Sequence, residues 1–252
     1  MMGGDLRRFG SCPITRNPRG DLYGSCTPAQ KPGVRRFQVL DLGLVHYGDA
    51  LRRQEERVAA RLAGTAPDTL ILLEHPPVVT LGRAKAPRNL RLSPAELAAR
   101  GISYYEISRG GDATYHAPGQ LVGYPIFDLR DHGRDVLRFC RVLERCLILT
   151  LADFGVDARA VPGKAGVWVG DRKIASLGIS LRRWVTFHGF ALNVSTDLAG
   201  FQVIQPCGED PGVMTSLAER LGRPTAVNEV QGRLVKRIAE EFGFDEVVTV
   251  SR

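Results

Sequence analysis

Three groups of residues in this chain combine types and spacing that suit chemistry. Cys207 lies in Val203-Ile-Gln-Pro-Cys-Gly-Glu209, where the proline before it and the glycine after it predict a turn. A thiol in a turn is open to approach by a substrate. Lys173 lies in Gly166-Val-Trp-Val-Gly-Asp-Arg-Lys-Ile-Ala-Ser-Leu-Gly-Ile179. The third group is the glycine-rich stretch Arg109-Gly-Gly-Asp-Ala-Thr-Tyr-His-Ala-Pro-Gly119, which carries Thr114, Tyr115 and His116. A thiol attacks as its thiolate, and a neighbouring ammonium is one group that brings it to that form near neutral pH. Thiolate plus lysine suits acyl transfer through a thioester. Blander roles fit the same residues: an ordinary connection with its polar groups in water, and a solvated lysine at a sheet edge.

The surrounding elements must position these groups. Apolar runs at 102–107 and 120–127 flank the glycine-rich stretch, and Gly110, Gly111, Pro118 and Gly119 break regular structure between them. The stretch therefore reads as a turn-rich loop between two strands, a common place for binding and catalysis. Gly170-Asp171, between two strand-like runs, is a two-residue hairpin signal. That turn sets Val169 opposite Arg172 and Trp168 opposite Lys173, with Lys173 and Trp168 on one face and Arg172 on the other. Further strands are predicted at 37–42, 69–73, 78–81 and 184–194. In the last, Trp184, Thr186, His188, Phe190 and Leu192 share a side, and His188 reads as a half-buried sheet residue without chemistry. Helices are predicted at 47–62, from a capped start at Ser93-Pro-Ala-Glu96, and at 133–154, 213–221 and 227–242. Leu51, Val58 and Leu62 form the apolar side of the first helix. Val136, Leu137, Cys140, Leu143, Leu147 and Leu151 share a face of the long helix. Cys140 and Cys146 read as small core hydrophobes, because apolar surroundings raise a thiol's pKa.

Composition narrows the function class. Of 252 residues, 44% are hydrophobic and 24% charged, as in an ordinary globular protein with a real core. No apolar run approaches the roughly 20 residues of a membrane-spanning helix. Residues 1–33 lack the apolar segment of a secretory signal and read as a flexible extension, with Cys12 and Cys26 as free thiols. Residues 34–252 show no repeat or linker and read as a single catalytic domain. Five cysteines without framework spacing argue against a stapled secreted fold and for a reducing cytoplasm. With no Cys-x-x-Cys pair and five scattered histidines, no metal is expected. The net charge of +7 could attract nucleic acid, acidic membrane or an acidic protein, but a generally basic surface explains it equally well.

Five segments together resemble the lipoyl(octanoyl) transferases. They are Arg109-Gly-Gly-Asp-Ala-Thr-Tyr-His-Ala-Pro-Gly-Gln-Leu-Val-Gly-Tyr-Pro125, His75-Pro-Pro-Val-Val-Thr-Leu-Gly82, Asp171-Arg-Lys-Ile-Ala-Ser-Leu-Gly-Ile179, Phe187-His-Gly-Phe-Ala-Leu-Asn-Val-Ser-Thr-Asp197 and Ile204-Gln-Pro-Cys-Gly208. All stand in family order, and only the N-terminal arm falls outside the match. Asp112, Ala113 and Ala117 stand where the family often has other residues. The resemblance implies an α/β (α+β) fold like that of the biotin and lipoate protein ligases, a mixed β-sheet flanked by helices. It implies transfer of an octanoyl or lipoyl group from acyl carrier protein to a specific lysine, without a cofactor. The implied acceptors are the lipoyl domains of 2-oxoacid dehydrogenase complexes and the glycine cleavage H protein. Cys207 matches the acyl-thioester nucleophile and Lys173 the lysine that activates it. Arg109, Gly110, Gly111, Asp112, Ala113, Thr114, Tyr115 and His116 match segments lining the acyl pocket. So do Ser176, Leu177 and Gly178, and Gly189, Phe190 and Ala191. The expected protein is a cytoplasmic monomer that binds neither nucleic acid nor membrane. Two rivals are an ATP-dependent lipoate or biotin ligase of the same fold, which has no need of Cys207, and a non-catalytic module that binds acyl groups or acidic carriers.

Overall fold

The computed structural model describes residues 34–84, 89–206 and 209–250, and two short strands before them, β1 (Ile14–Arg16) and β2 (Leu22–Gly24). The chain divides into two compact units, residues 1–33 and 34–252. In the first, β1 and β2 pair antiparallel. Everything below concerns the second.

Its strands are β3 (Arg36–Leu44), β4 (Asp68–Glu74), β5 (Val78–Leu81), β6 (Ser103–Glu106), β7 (Ala113–His116), β8 (Gln120–Ile126), β9 (Arg159–Val161), β10 (Lys164–Val169), β11 (Arg172–Arg182), β12 (Val185–Asn193) and β13 (Glu246–Val250). The helices are α1 (Tyr47–Leu62), α2 (Pro94–Ala99), α3 (Val136–Ala152), α4 (Leu217–Leu221) and α5 (Val227–Phe242). An eight-stranded mixed sheet runs β13-β3-β4-β8-β12-β11-β10-β9, and a three-stranded sheet runs β6-β5-β7. In the large sheet β13, β3 and β4 are parallel, and the other neighbours antiparallel.

Alternation along β4 explains the layering. Leu70 and Leu72 join the core built by Leu143, Leu147 and Leu151 of α3 with Leu234 and Ile238 of α5. Ile71 and Leu73 join a second core with Ala50 and Val58 of α1. Successive strand side chains point to opposite faces, so α1 covers one face and α3 with α5 the other. This is why β4 and β8 read as almost unbroken apolar runs. A third core joins the small sheet to α2 and to Phe201, Val203 and Ile204. The α2 start carries the expected capping box between Ser93 and Glu96.

Several elements depart from the sequence-based expectation. The stretch from Arg109 is not all loop: residues 113–116 form β7, whose Ala113 and Tyr115 enter the third core. The runs flanking it lie in different sheets, β6 in the small one and β8 in the large one, so this stretch bridges the two. On α1 the buried stripe is Tyr47, Ala50, Gln54 and Val58. The long helix starts only at Val136, with Asp135 as its cap, because Gly133 and Arg134 take positive φ. Leu137 is 70% exposed, and Phe139 takes the core side. The helix expected at 213–221 shrinks to α4, capped by Ser216, since Pro211–Val213 forms a separate 3-10 turn. Trp184 is in the turn before β12, with φ +72. Neither β9 nor β13 was foreseen.

Candidate functional site

The hairpin register predicted at Gly170-Asp171 is the one found: Val169 pairs with Arg172 and Trp168 with Lys173. The Lys173 ammonium nitrogen sits 5.7 Å from the Trp168 ring centroid, and Lys173 is buried. Lys164 lies 5.0 Å from the same ring and pairs with Glu209 at 2.6 Å. Arg172 turns away, to Glu219 at 2.7 Å and the Met214 carbonyl. Beyond Trp168 the register shifts, and Val167 pairs with Ala175. The Lys173 carbonyl accepts from the Thr215 N–H at 2.9 Å, which fixes the lysine's main chain.

Arg109 is a strut. Its guanidinium donates to the Thr80 carbonyl at 2.8 Å, to Thr80 Oγ1 at 2.9 Å and to the Gly110 carbonyl at 3.1 Å. The Gly110 N–H donates to the Ile179 carbonyl at 3.1 Å, tying the loop onto β11. A Cβ at Gly178 would stand 2.8 Å from the Gly110 carbonyl oxygen, and one at Gly189 would stand 2.0 Å from the Gly123 oxygen. The space freed by these glycines is thus taken by protein main chain.

Histidines gather at this wall. His75 donates from Nδ1 to the Val45 carbonyl at 2.7 Å and accepts from the Tyr124 hydroxyl at Nε2, also at 2.7 Å. His116 Nδ1 donates to Gln120 Oε1 at 2.7 Å. Gln120 Nε2 donates to Asn193 Oδ1, and Asn193 Nδ2 to the Thr215 carbonyl, at 2.8 and 3.0 Å. An amide chain therefore links His116 to the residue whose N–H holds the Lys173 main chain. His188 is fully buried, not half-buried, with φ +56. Its N–H donates to Gln54 Oε1 at 2.8 Å, and both ring nitrogens lack a hydrogen-bond partner among the described residues. Burial pushes His75 down to about 4, and His116 and His188 to about 3, so all three are neutral at pH 7.

Arg109, His116, Lys173 and His188 are among the residues that enclose a cavity of about 610 Å³, within the usual range for small-molecule sites. Of the residues expected at the site, Lys173, Arg109, Gly110, Gly111, Ala113, Thr114, His116, Ser176, Leu177, Gly178, Gly189, Phe190 and Ala191 line it. Asp112 and Tyr115 do not: Asp112 accepts from the Asn89 side chain, and Tyr115 packs on Phe201. Cys207 lies outside the described residues. The nearest described residues on either side, Pro206 and Glu209, both line the cavity, and the Glu209 N–H donates to the Pro206 carbonyl at 3.1 Å. Sequence reasoning missed Tyr47, Tyr124, His188, Cys140 and Glu144. The positive-φ position of His188 left no periodic signal, whereas Glu144 is the one acidic residue of α3 and faces in. Cys140 faces the cavity, not only the core, and burial pushes its thiol up to about 11.

A family model described as the lipoyl protein ligase A/B catalytic domain matches residues 46–239. Among curated proteins, an octanoyltransferase of Solibacter usitatus is 52% identical, covering 84% of this chain and 96% of its own. One of Geobacter metallireducens is 49% identical over 82% of this chain and 92% of its own. Among solved structures, lipoate-protein ligase A bound with ATP superposes with a TM-score of 0.69 at 16% identity, covering 87% of this chain and 89% of that one. A structure described as belonging to an archaeal lipoylation system, a bipartite lipoate protein ligase and its E2 lipoyl domain from Thermoplasma acidophilum, gives 0.67 at 17%, covering 85% and 87%. Biotin protein ligase from Aquifex aeolicus gives 0.51 at 14%, covering 83% and 71%. At these identities the structural likeness speaks for the fold: that of the lipoate and biotin protein ligases, a mixed sheet flanked by helices.

Proposed function

Because the chain belongs to the octanoyltransferases, within the family of the lipoyl protein ligase A/B catalytic domain, we propose that it carries the octanoyl group as a thioester on Cys207. Octanoyl transfer in protein lipoylation is its activity. One observation carries the finer reading: Lys173, the described residues nearest Cys207 on either side (Pro206 and Glu209) and most of the expected acyl-binding residues line one cavity.

In this reading residues 34–252 are the catalytic unit. The donor is octanoyl-acyl carrier protein. The Cys207 thiolate, favoured by the Lys173 ammonium, attacks the thioester carbonyl. The tetrahedral intermediate collapses, the bond to pantetheine sulfur breaks, and Lys173 gives its proton to the leaving thiolate. The acceptor lysine then attacks the enzyme thioester as a free amine. Neutral Lys173 takes the amine proton, and Cys207 leaves as thiolate, restoring the starting state. The acyl chain lies along Ser176–Gly178 and Gly189–Ala191 (residues 176–178 and 189–191), under the loop held by Arg109. The acceptors are lipoyl domains, including those of 2-oxoacid dehydrogenase complexes and the glycine cleavage H protein. The Thermoplasma ligase, of the same fold, is described together with its E2 lipoyl domain. The monomeric enzyme works in the cytoplasm, where a free thiol persists. No helix among the described residues is long and apolar enough to cross a membrane.

Mixing the protein with octanoyl-carrier and mapping the adduct by mass spectrometry tests this. The octanoyl group is expected on Cys207 and absent in Cys207→Ser. An adduct on Cys140 or Cys146 overturns the reading.

A further inference from the structure

The proposed reaction gives no part to Glu144, an acidic group of the cavity wall. Glu144, on α3, is half-buried and lines the cavity together with Lys173. Its Oε1 accepts from the Gly166 N–H at 3.0 Å. Gly166 is the residue against which the lysine stem lies. A Cβ built there would stand 2.7 Å from Lys173 Cε and 2.3 Å from the Ala175 carbonyl oxygen. At φ +121 it also adopts a backbone that favours glycine, next to the register shift between β10 and β11. One carboxylate oxygen thus pins the main chain forming one side of the lysine's slot, and Trp168 forms another.

We propose that Glu144 is a positioning residue for Lys173: it holds the Gly166 main chain against the lysine stem, and its charge favours the ammonium. The arrangement follows the logic of a nucleophile, its proton partner and a third group that orients the partner. The proposal rests on the roles given above to Cys207 and Lys173.

The charged and titratable neighbours are few. Cys140 and Arg141 come from α3 itself, Lys164 from β10, Lys173 from β11, and Glu209 from beyond Pro206. Lys164 and Glu209 pair with each other at 2.6 Å, so their fields largely cancel. Burial, the largest influence, raises Glu144, while the Gly166 N–H, Arg141 and Lys173 lower it, and the carboxyl ends above its ordinary value. Cys140 is held up at about 11, by burial first and by Glu144 and Asp135 next, so it does not compete as a thiolate.

A negative charge raises the pKa of a nearby ammonium and of a nearby thiol alike, so removing it lowers both. Glu144→Gln keeps an acceptor for the Gly166 N–H and removes the charge. Glu144→Asp keeps the charge and shortens the reach. Octanoyl transfer is measured against pH in both and in wild type, beside Cys207 alkylation against pH. In Glu144→Gln both limbs of the bell should move to lower pH by about half a unit or more, roughly threefold in activity on the alkaline side. The alkylation midpoint should move with them. Glu144→Asp should keep the wild-type limbs at a reduced plateau. Unmoved limbs in Glu144→Gln, whatever its plateau, overturn the proposal, as do shifted limbs in Glu144→Asp. A wild-type protein that forms no adduct on Cys207 overturns the site reading instead, so the two failures are distinguishable.

Discussion

Replacing His188 with Asn should make the protein less sensitive to acid. Burial, aided by the positive charges of Arg109 and Arg83, holds His188 at about 3; burial likewise holds His116 at about 3 and His75 at about 4. In the unfolded chain each imidazole titrates near about 6.5. The folded value lies below the unfolded one, so the unfolded state takes up the proton first. The stability is therefore fully present above about pH 6.5 and is lost as pH falls through the window toward the folded values. Between pH 7 and 5 the loss per histidine is RT ln[(1 + 10^1.5)/(1 + 10^−0.5)], about 1.9 kcal/mol. That figure needs only a folded pKa well below 5. Three such histidines give about 6 kcal/mol, comparable with the whole stability of many domains, about 5–15 kcal/mol. His188 is the suitable one to remove. Its φ of +56 is one that Asn adopts readily, and its ring leaves no hydrogen-bond partner stranded among the described residues. The assay is urea unfolding followed by tryptophan fluorescence at pH 7 and pH 5. The fall in stability between the two should be about 2 kcal/mol smaller in His188→Asn. Any constant cost of losing the ring cancels in that comparison. An equal fall in both proteins would refute the claim that burial keeps this imidazole neutral.

Lys173→Ala should move the Cys207 alkylation midpoint up toward the free-thiol value of about 8.5, while Lys173→Arg should hold more thiolate yet transfer poorly, because Arg sheds no proton. An unchanged midpoint in Lys173→Ala contradicts the thiolate–ammonium pair. Gly189→Ala places a methyl 2.0 Å from the Gly123 oxygen, so β8 and β12 must part; a cost of about 1–3 kcal/mol should lower the melting temperature by several degrees. A wild-type melt would show that the strands yield freely. Affinity for octanoyl-carrier should weaken as salt rises past about 0.1 M, where the Debye length is about 10 Å, while a small pantetheine thioester should respond less. Equal salt dependence for both removes charge steering.

The parts of this fold governed by local rules were legible. The turn at Gly170-Asp171 fixed the pairing of Trp168 with Lys173, and Ser93 with Glu96 announced α2. What escaped were features set by tertiary partners. Residues 113–116 became a strand only because β5 supplies an edge for them, and Gln54 is buried on a polar-looking helix because it holds the His188 main chain. His188 looked like one residue of an alternating strand, but its positive φ breaks the alternation and turns it to the cavity. The stretch from Arg109 stood out as a motif, while its separation into cavity-lining residues and the pair Asp112 and Tyr115, buried away from the cavity, needed three dimensions.

The main-chain filling at Gly178 and Gly189 has a practical consequence for anyone wishing to change the acyl group. In the proposed reading the acyl chain passes these glycines, where the width of the cavity is set by peptide groups of neighbouring segments that no single side-chain exchange can widen. Beside those glycines, the apolar side chains in the wall that can be trimmed are Leu177, Ile179 and Phe190. Selections for altered chain length should therefore return smaller residues at those three positions and leave both glycines untouched, whereas branched or bulky acyl groups should prove hard to reach by stepwise mutation.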